Sequence, residues 1–226
     1  MVFTHTGLEQ IDGITSKDSS RGRYYTTPDG NIYPSITTVL GHKEKPAIQE
    51  WRLSLGVDKS NKETKRAADR GTAVHKMIEN YLNNDEHPTA GFDVNLVREY
   101  NSVRLHLNKI TDILCQEYPL YSNDLKLAGR VDCIGHYDGE LAIIDFKTSN
   151  GNKTESMVHD YYLQTTGYAL MFQELYNIQI DKLVIIMSVE KGMVPLVFKQ
   201  QVDPWIAPLC ERINNYYKST QGFNHV

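Results

Sequence analysis

VDCIGHYDGELAIIDFKTS, residues 131–149, sets Asp132 and Asp145 inside two runs that otherwise read as the strands of a buried hairpin. Asp138-Gly139 stands between segments rich in Val, Ile and Tyr. This is the strongest short-range signal for a two-residue type I′ turn, whose central residues both take positive φ. Such a turn pairs Tyr137 with Glu140. Counting back, His136 faces Leu141, Ile134 faces Ile143, and Asp132 faces Asp145. The two carboxylates are then cross-strand neighbours with Cβ atoms about 5 Å apart, and like charges so placed repel. Side chains alternate along a strand, so Lys147 projects from the same face as Asp145. Two readings fit this hairpin alone. In one, a divalent cation lies between the carboxylates and converts repulsion into coordination, with Lys147 left to activate water or steady a pentavalent phosphate. In the other, the face is a solvated polar side with an incidental salt bridge.

The rest of the chain bounds the choice. Its 226 residues suffice for one well-cored domain or one with a helical elaboration. The net charge of −4 does not mark a nucleic-acid binder, although local patches matter more than the sum. Fourteen tyrosines could offer stacking faces to bases or serve as packing. Cys115, Cys133 and Cys210 are far apart and form no C-x-x-C pair. That argues against a structural zinc, an iron-sulfur cluster or a secreted disulfide framework, and for a reducing compartment. The first eighteen residues hold Glu9, Asp12 and Asp18 and no apolar stretch, so neither a signal nor a transit peptide is expected. No run approaches a membrane span, which leaves a cytoplasmic protein as the expectation.

RYYTTPDGNIYPSITTVL, residues 23–40, predicts a short hairpin turning at Pro28-Asp29-Gly30, then a helix capped by Ser35. Residues 41–71 are polar, helical in tendency and locally basic, with Lys43, Lys45, Arg52, Lys59, Lys62, Lys65, Arg66 and Arg70 around Trp51. Cations that track phosphates beside a ring that stacks on bases make a single-strand channel; a solvated helical face with one core tryptophan reads the same way. Residues 72–82 form an amphipathic helix with Val74, Met77, Ile78, Tyr81 and Leu82 on its stripe and His75 at its margin. A second helix is predicted over 93–110, and ILCQEYPLYS, residues 113–122, as a strand leading to the hairpin. A helix over 160–176 puts Gln164 and Tyr168 on one face. Strands over 183–189 and 194–200 and a helix over 204–219 complete an α/β domain with a mixed central sheet.

GRVDCIGHYDGELAIIDFKTS, preceded by GTAVHKMIENYL and followed by QTTGY, resembles the PD-(D/E)XK nuclease superfamily, and within it the RecB-like exonuclease branch that includes tailed-phage exonucleases. PSITTVL and EWRLSLG also look like that branch, so the resemblance covers about residues 24–168. It implies a restriction-endonuclease-like core, a mixed sheet flanked by helices, with an N-terminal helical elaboration. The chain would be one nuclease domain, 1–226: a DNA-channel region at 24–70, a catalytic core at 71–200 and a C-terminal helix at 201–226.

The resemblance also implies roles. His75, Asp132, Asp145 and the Phe146 carbonyl would hold one or two Mg²⁺ or Mn²⁺ ions, and Lys147 would be the catalytic lysine. Glu117 stands where the family often has a glutamate near the site; a salt bridge to Arg130 or Lys147 would account for it equally well. Gln164 and Tyr168 would position DNA, with Ser35, Thr37, Trp51, Arg52 and Arg70 as further DNA contacts. The implied activity is metal-dependent hydrolysis of DNA from free ends, single-stranded or flapped, leaving 5′ phosphates. The expected setting is a monomer in bacterial cytoplasm serving phage replication, recombination or degradation. A structure-specific endonuclease of the same superfamily and a non-catalytic DNA-end binder are the alternatives. A small-molecule phosphate enzyme fits poorly, because no glycine-rich phosphate loop is present.

Overall fold

The structure, a computed structural model, describes residues 1–42, 46–190 and 194–220. Lys43 and Lys45 of the basic segment lie outside the described residues. The chain opens with three short strands, β1 (Thr15–Ser19), β2 (Gly22–Thr26) and β3 (Ile32–Pro34), paired antiparallel in that order. The β2–β3 hairpin was expected, and β1 adds an exposed edge to it. Pro34 ends the sheet and Ser35 begins a helix: its hydroxyl accepts the Thr38 N–H at 3.0 Å and caps α1 (Ile36–Leu40).

Helices α2 (Pro46–Leu55) and α3 (Val57–Leu82) follow, then α4 (Val94–Leu107), capped by Asp93. α3 runs unbroken through the expected boundary at residue 70. Its first half is largely exposed, with Ser60 the one buried residue before Arg70, and its second half buries Val74, Met77, Ile78 and Leu82. The amphipathic stripe is therefore the inner part of a longer helix whose outer part projects with α2.

The main sheet has five strands in the order β4 (Ile110–Ser122), β5 (Leu127–Tyr137), β6 (Glu140–Ser149), β7 (Lys182–Val189) and β8 (Leu196–Gln201). The β6–β7 pair is parallel and the others are antiparallel, so the sheet is mixed as expected. The parallel step is crossed by α5 (His159–Tyr176), and α6 (Asp203–Thr220) ends the described chain. α3 and α4 pack on one face of the sheet against Cys133, Ile144 and Phe146. α1, α5 and α6 pack on the other against Ile134 and Ile143. No helix among the described residues is long and apolar enough to cross a membrane.

A buried ionic network fastens α3 to this frame. Arg70, 7% exposed, sets Nη1 2.8 Å from Glu190 and Nε 3.9 Å from Glu99 on α4, and Ser188 on β7 donates to Glu99 at 2.8 Å. This corrects the expectation that Arg70 contacts DNA: its guanidinium is drawn inward by two carboxylates and covered. Buried pairs of this kind fix geometry more than they add stability.

α5 packs closely on β5 at one point. A Cβ on Gly129 would lie 2.7 Å from Tyr168 Cε1 and 3.3 Å from Ile36 Cγ2, so glycine is what lets the tyrosine ring rest on the strand. Gly129→Ala is expected to cost about 1–3 kcal/mol through overpacking, read as a lower urea midpoint with unchanged slope.

Candidate active site

The hairpin register is the counted one: Tyr137 pairs with Glu140, His136 with Leu141, Ile134 with Ile143 and Cys133 with Ile144. Asp138 and Gly139 have φ of +52° and +84°, as a type I′ turn requires. The ladder ends there, one step short of Asp132 and Asp145. In its place the Asp132 side chain takes over, its Oδ2 accepting the Phe146 N–H at 2.8 Å. Phe146 turns its ring into the core on the α3 side.

Asp145 has no exposed surface, which excludes the solvated-face reading of the hairpin. Lys147 Nζ stands 2.7 Å from its Oδ1 and 2.6 Å from its Oδ2. Gln164 Nε2 donates to Oδ1 at 3.3 Å and to the Tyr168 hydroxyl at 3.1 Å. Oδ2 has no hydrogen bond, although the Lys147 charge is beside it. Burial pushes the Asp145 carboxyl up to about 6; Lys147 opposes this and the charge of Asp132 adds to it. For Lys147 itself burial acts to discharge the amine, but Asp145 and Asp132 outweigh it and hold the ammonium above its ordinary value.

A second carboxylate comes from β4. Gln116 pairs with Cys133 and Tyr118 with Val131, so Glu117 stands between those pairs, level with Asp132. Its φ of +48° is unusual for a non-glycine residue in a strand. Arg130 Nε holds its carboxylate at 2.8 Å, settling the two expected partners in favour of Arg130. Burial, then repulsion from Asp132, pushes Glu117 up to about 7.

His75 reaches in from α3, with Nδ1 3.7 Å from Asp132 Oδ2 and its ring edge-on to Phe146. His75, Glu117 and Asp132 each offer a donor atom within 4.8 Å of the others. One imidazole nitrogen and two carboxylates form a donor set that suits a hard divalent cation. Asp145 is not in the three-residue cluster; it is set back, bound by Lys147 and Gln164.

His75, Glu117 and Asp132 line a cleft of about 460 Å³ that also takes in Ser35, Thr37, Gln164 and Tyr168, while Asp145 and Lys147 lie behind its lining. Ser35 is buried and its hydroxyl is engaged in the α1 cap. Trp51, 39% exposed, and Arg52 lie on α2 and do not line the cleft. Sequence reasoning missed Arg23, Tyr25, Lys76, Glu79 and Arg130 as cleft residues. Two signals were available: Arg23 and Tyr25 alternate on β2, and Arg130 shares the face of Asp132 two residues on.

The family model described as the PD-(D/E)XK nuclease superfamily matches residues 91–198. Mitochondrial genome maintenance exonuclease 1 of Mus musculus is 26% identical over 197 residues, covering 81% of this chain and 58% of the relative. The proteins of the same name from Homo sapiens and Xenopus tropicalis are 26% and 24% identical, over 72% and 70% of this chain and 51% and 49% of theirs. The chain thus spans about half the length of the curated relatives it matches. A solved structure from Eubacterium rectale aligns with 69% of this chain and 68% of its own, at 8% identity and a TM-score of 0.45, too slight a likeness to argue from. The hairpin with its two aspartates and its lysine lies wholly within the segment over which the chain is similar to the PD-(D/E)XK nuclease superfamily.

Proposed function

We propose that the protein is a divalent-metal-dependent deoxyribonuclease that hydrolyses phosphodiester bonds from free ends, of single strands or flaps, leaving 5′ phosphates. The observation that carries this reading is the convergence of His75, Glu117 and Asp132 donors within 4.8 Å, backed by a buried Asp145 held by Lys147 and Gln164. His75, Asp132, Asp145 and the Phe146 carbonyl are the proposed ligands, with Glu117 joining them. When bound, Mg²⁺ or Mn²⁺ supplies Lewis-acid polarisation of a phosphoryl oxygen and a water of lowered pKa.

The protein's own part is positioning and charge. Lys147, raised in pKa by its two aspartates, is an ammonium before the cation arrives, so it stabilises negative charge developing on the phosphate. Its Nζ lies 5.2 Å over the Tyr161 ring, which restricts its reach to the Asp145 side. Gln164 orients Asp145 and Tyr168 together, and the pair would fix the strand near the scissile bond.

The free-end preference rests on the names of the relatives and on the projecting helices. Lys59, Lys62, Lys65 and Arg66 are exposed on α3, and Trp51 is partly exposed on α2. Lys65 pairs with Asp69, and an ion pair this exposed is weak and gives way to phosphates, whereas Arg66 is held by both Glu63 and Glu190. An arm of this kind can form a channel within one chain, which favours a monomer. Resemblance to tailed-phage members of the branch favours a phage role in bacterial cytoplasm.

Digestion of linear and covalently closed circular single-stranded DNA with Mg²⁺ or Mn²⁺ tests the reading. Loss of the linear substrate alone is expected, with activity reduced at least about 10³-fold by Asp145→Asn or Lys147→Ala. Cleavage of the circle would move the assignment to endonuclease, and no cleavage with either ion would sink it.

The raised carboxyls give a second prediction, with a definite sign. The folded, metal-free protein holds protons on Asp145 and Glu117 that the unfolded chain releases near pH 4. Their contribution to stability is present below about pH 4 and is lost as pH rises through 6 and 7. In EDTA the melting temperature should therefore carry a falling component over that window, flatter in Asp145→Asn. Mn²⁺ competes with those protons, so it should raise the melting temperature more at pH 7.5 than at pH 5.

A further inference from the structure

The cleft holds a cation that the proposed chemistry does not use. Arg130 projects beside Asp132 from β5, and its Nε is 2.8 Å from Glu117. The arginine side chain is 54% exposed while that of Glu117 is 25% exposed, so the cation is the movable partner. Glu117 is held in place by its backbone: at φ +48° it is turned out of regular strand geometry and its carboxylate enters the cluster with His75 and Asp132. One carboxylate is thus shared between an arginine and the candidate cation position.

A guanidinium and a divalent cation compete for the same oxygens. An arginine released by that competition would be exposed at the rim of the cleft, within reach of a strand lying over the carboxylates. Guanidinium binds phosphate bidentately in a way that lysine does not. We propose that Arg130 is a phosphate-binding residue that the metal unlocks: occupation of the carboxylate cluster takes Glu117 away from Arg130, and the freed guanidinium grips a backbone phosphate of the DNA. This inference rests on the nuclease reading above. It makes metal and DNA mutually reinforcing, because whatever tightens one through this exchange must tighten the other by the same factor.

The test is binding of a fluorescent single-stranded oligonucleotide, by anisotropy, in EDTA and in Ca²⁺, which takes oxygen ligands as Mg²⁺ does but with looser geometry. Wild-type protein is expected to bind at least roughly tenfold more tightly in Ca²⁺, the scale of one charge-assisted contact. Arg130→Gln should keep the EDTA affinity and lose most of the gain, while Arg130→Lys should recover part of it. Glu117→Gln leaves Arg130 without its carboxylate, so it should bind tightly already in EDTA. That advantage should vanish in the double variant Glu117→Gln/Arg130→Gln, which separates release of the arginine from mere loss of a negative charge. Far-UV dichroism of each variant guards against misfolding.

An equal loss for Arg130→Gln in EDTA and Ca²⁺ would overturn the proposal, making Arg130 an ordinary, always available contact. A full Ca²⁺ gain in Arg130→Gln would overturn it too, leaving Arg130 as only a partner of Glu117. Wild-type protein that binds DNA under neither condition would overturn the nuclease reading itself, a result distinct from either.

Discussion

The burial of the Asp145 carboxylate governs the arrangement around it. An ionised acid without solvent is tolerated only if charge and hydrogen bonds replace water, and both replacements are visible: Lys147 two residues along the strand and Gln164 from α5. β6 is the middle of the five strands, with β5 antiparallel on one side and β7 parallel on the other. A strand so placed is covered on both faces and both edges. That accounts for the raised proton affinity of Asp145, and it means that the acid, the lysine and the amide cannot be altered independently. Natural sites accept such local cost where geometry matters more than stability.

The second constraint is that the donors arrive from opposite layers. His75 comes from α3, which packs with α4 on one face of the sheet; Gln164 and Tyr168 come from α5 on the other. Only at the end of the β5–β6 ladder, where main-chain pairing stops and Asp132 bonds to Phe146, can both layers reach the same space. The Arg70–Glu99–Ser188 network lies on the same helix as His75, a little over one turn before it, and ties that helix to β7 beside the site. α3 is continuous over 26 residues, ~39 Å at 1.5 Å per residue, so the projecting arm and the imidazole belong to one rigid element.

Much of this was legible because the deciding information was local. Asp138-Gly139 set the turn, the turn set the register, and a period of two put Asp132, Asp145 and Lys147 together. The helix cap Ser35 was equally local. What escaped the sequence depended on contacts distant along the chain. Glu117 takes a left-handed backbone within a β4–β5 register that runs unshifted from Gln116 to Tyr118, and no residue near it announces this. Arg70 is a different case, since it lies four residues before Val74 and so on the buried stripe of α3. Its burial followed from the periodicity; counting it among its basic neighbours concealed this. Glu99, four and eight residues before Val103 and Leu107, shows the same pattern on α4. Two opposite charges on the buried stripes of adjacent helices are a signal of an interior ion pair.

The same distinction explains why net charge misleads here. The chain carries 28 acidic and 24 basic residues, which taken alone argues against a polyanionic substrate. A cluster of carboxylates that takes up a cation, as proposed for Glu117 and Asp132 beside His75, counts as negative in the sum but is cancelled once the cation is bound. The field that a nucleic-acid strand would meet on the proposed reading is then set by cleft-rim cations such as Arg23, Lys76 and Arg130 and by the exposed lysines of α3. On the proposed metal-dependent nuclease reading, the relevant charge is that of the loaded cleft, and the sequence total is a poor guide to it.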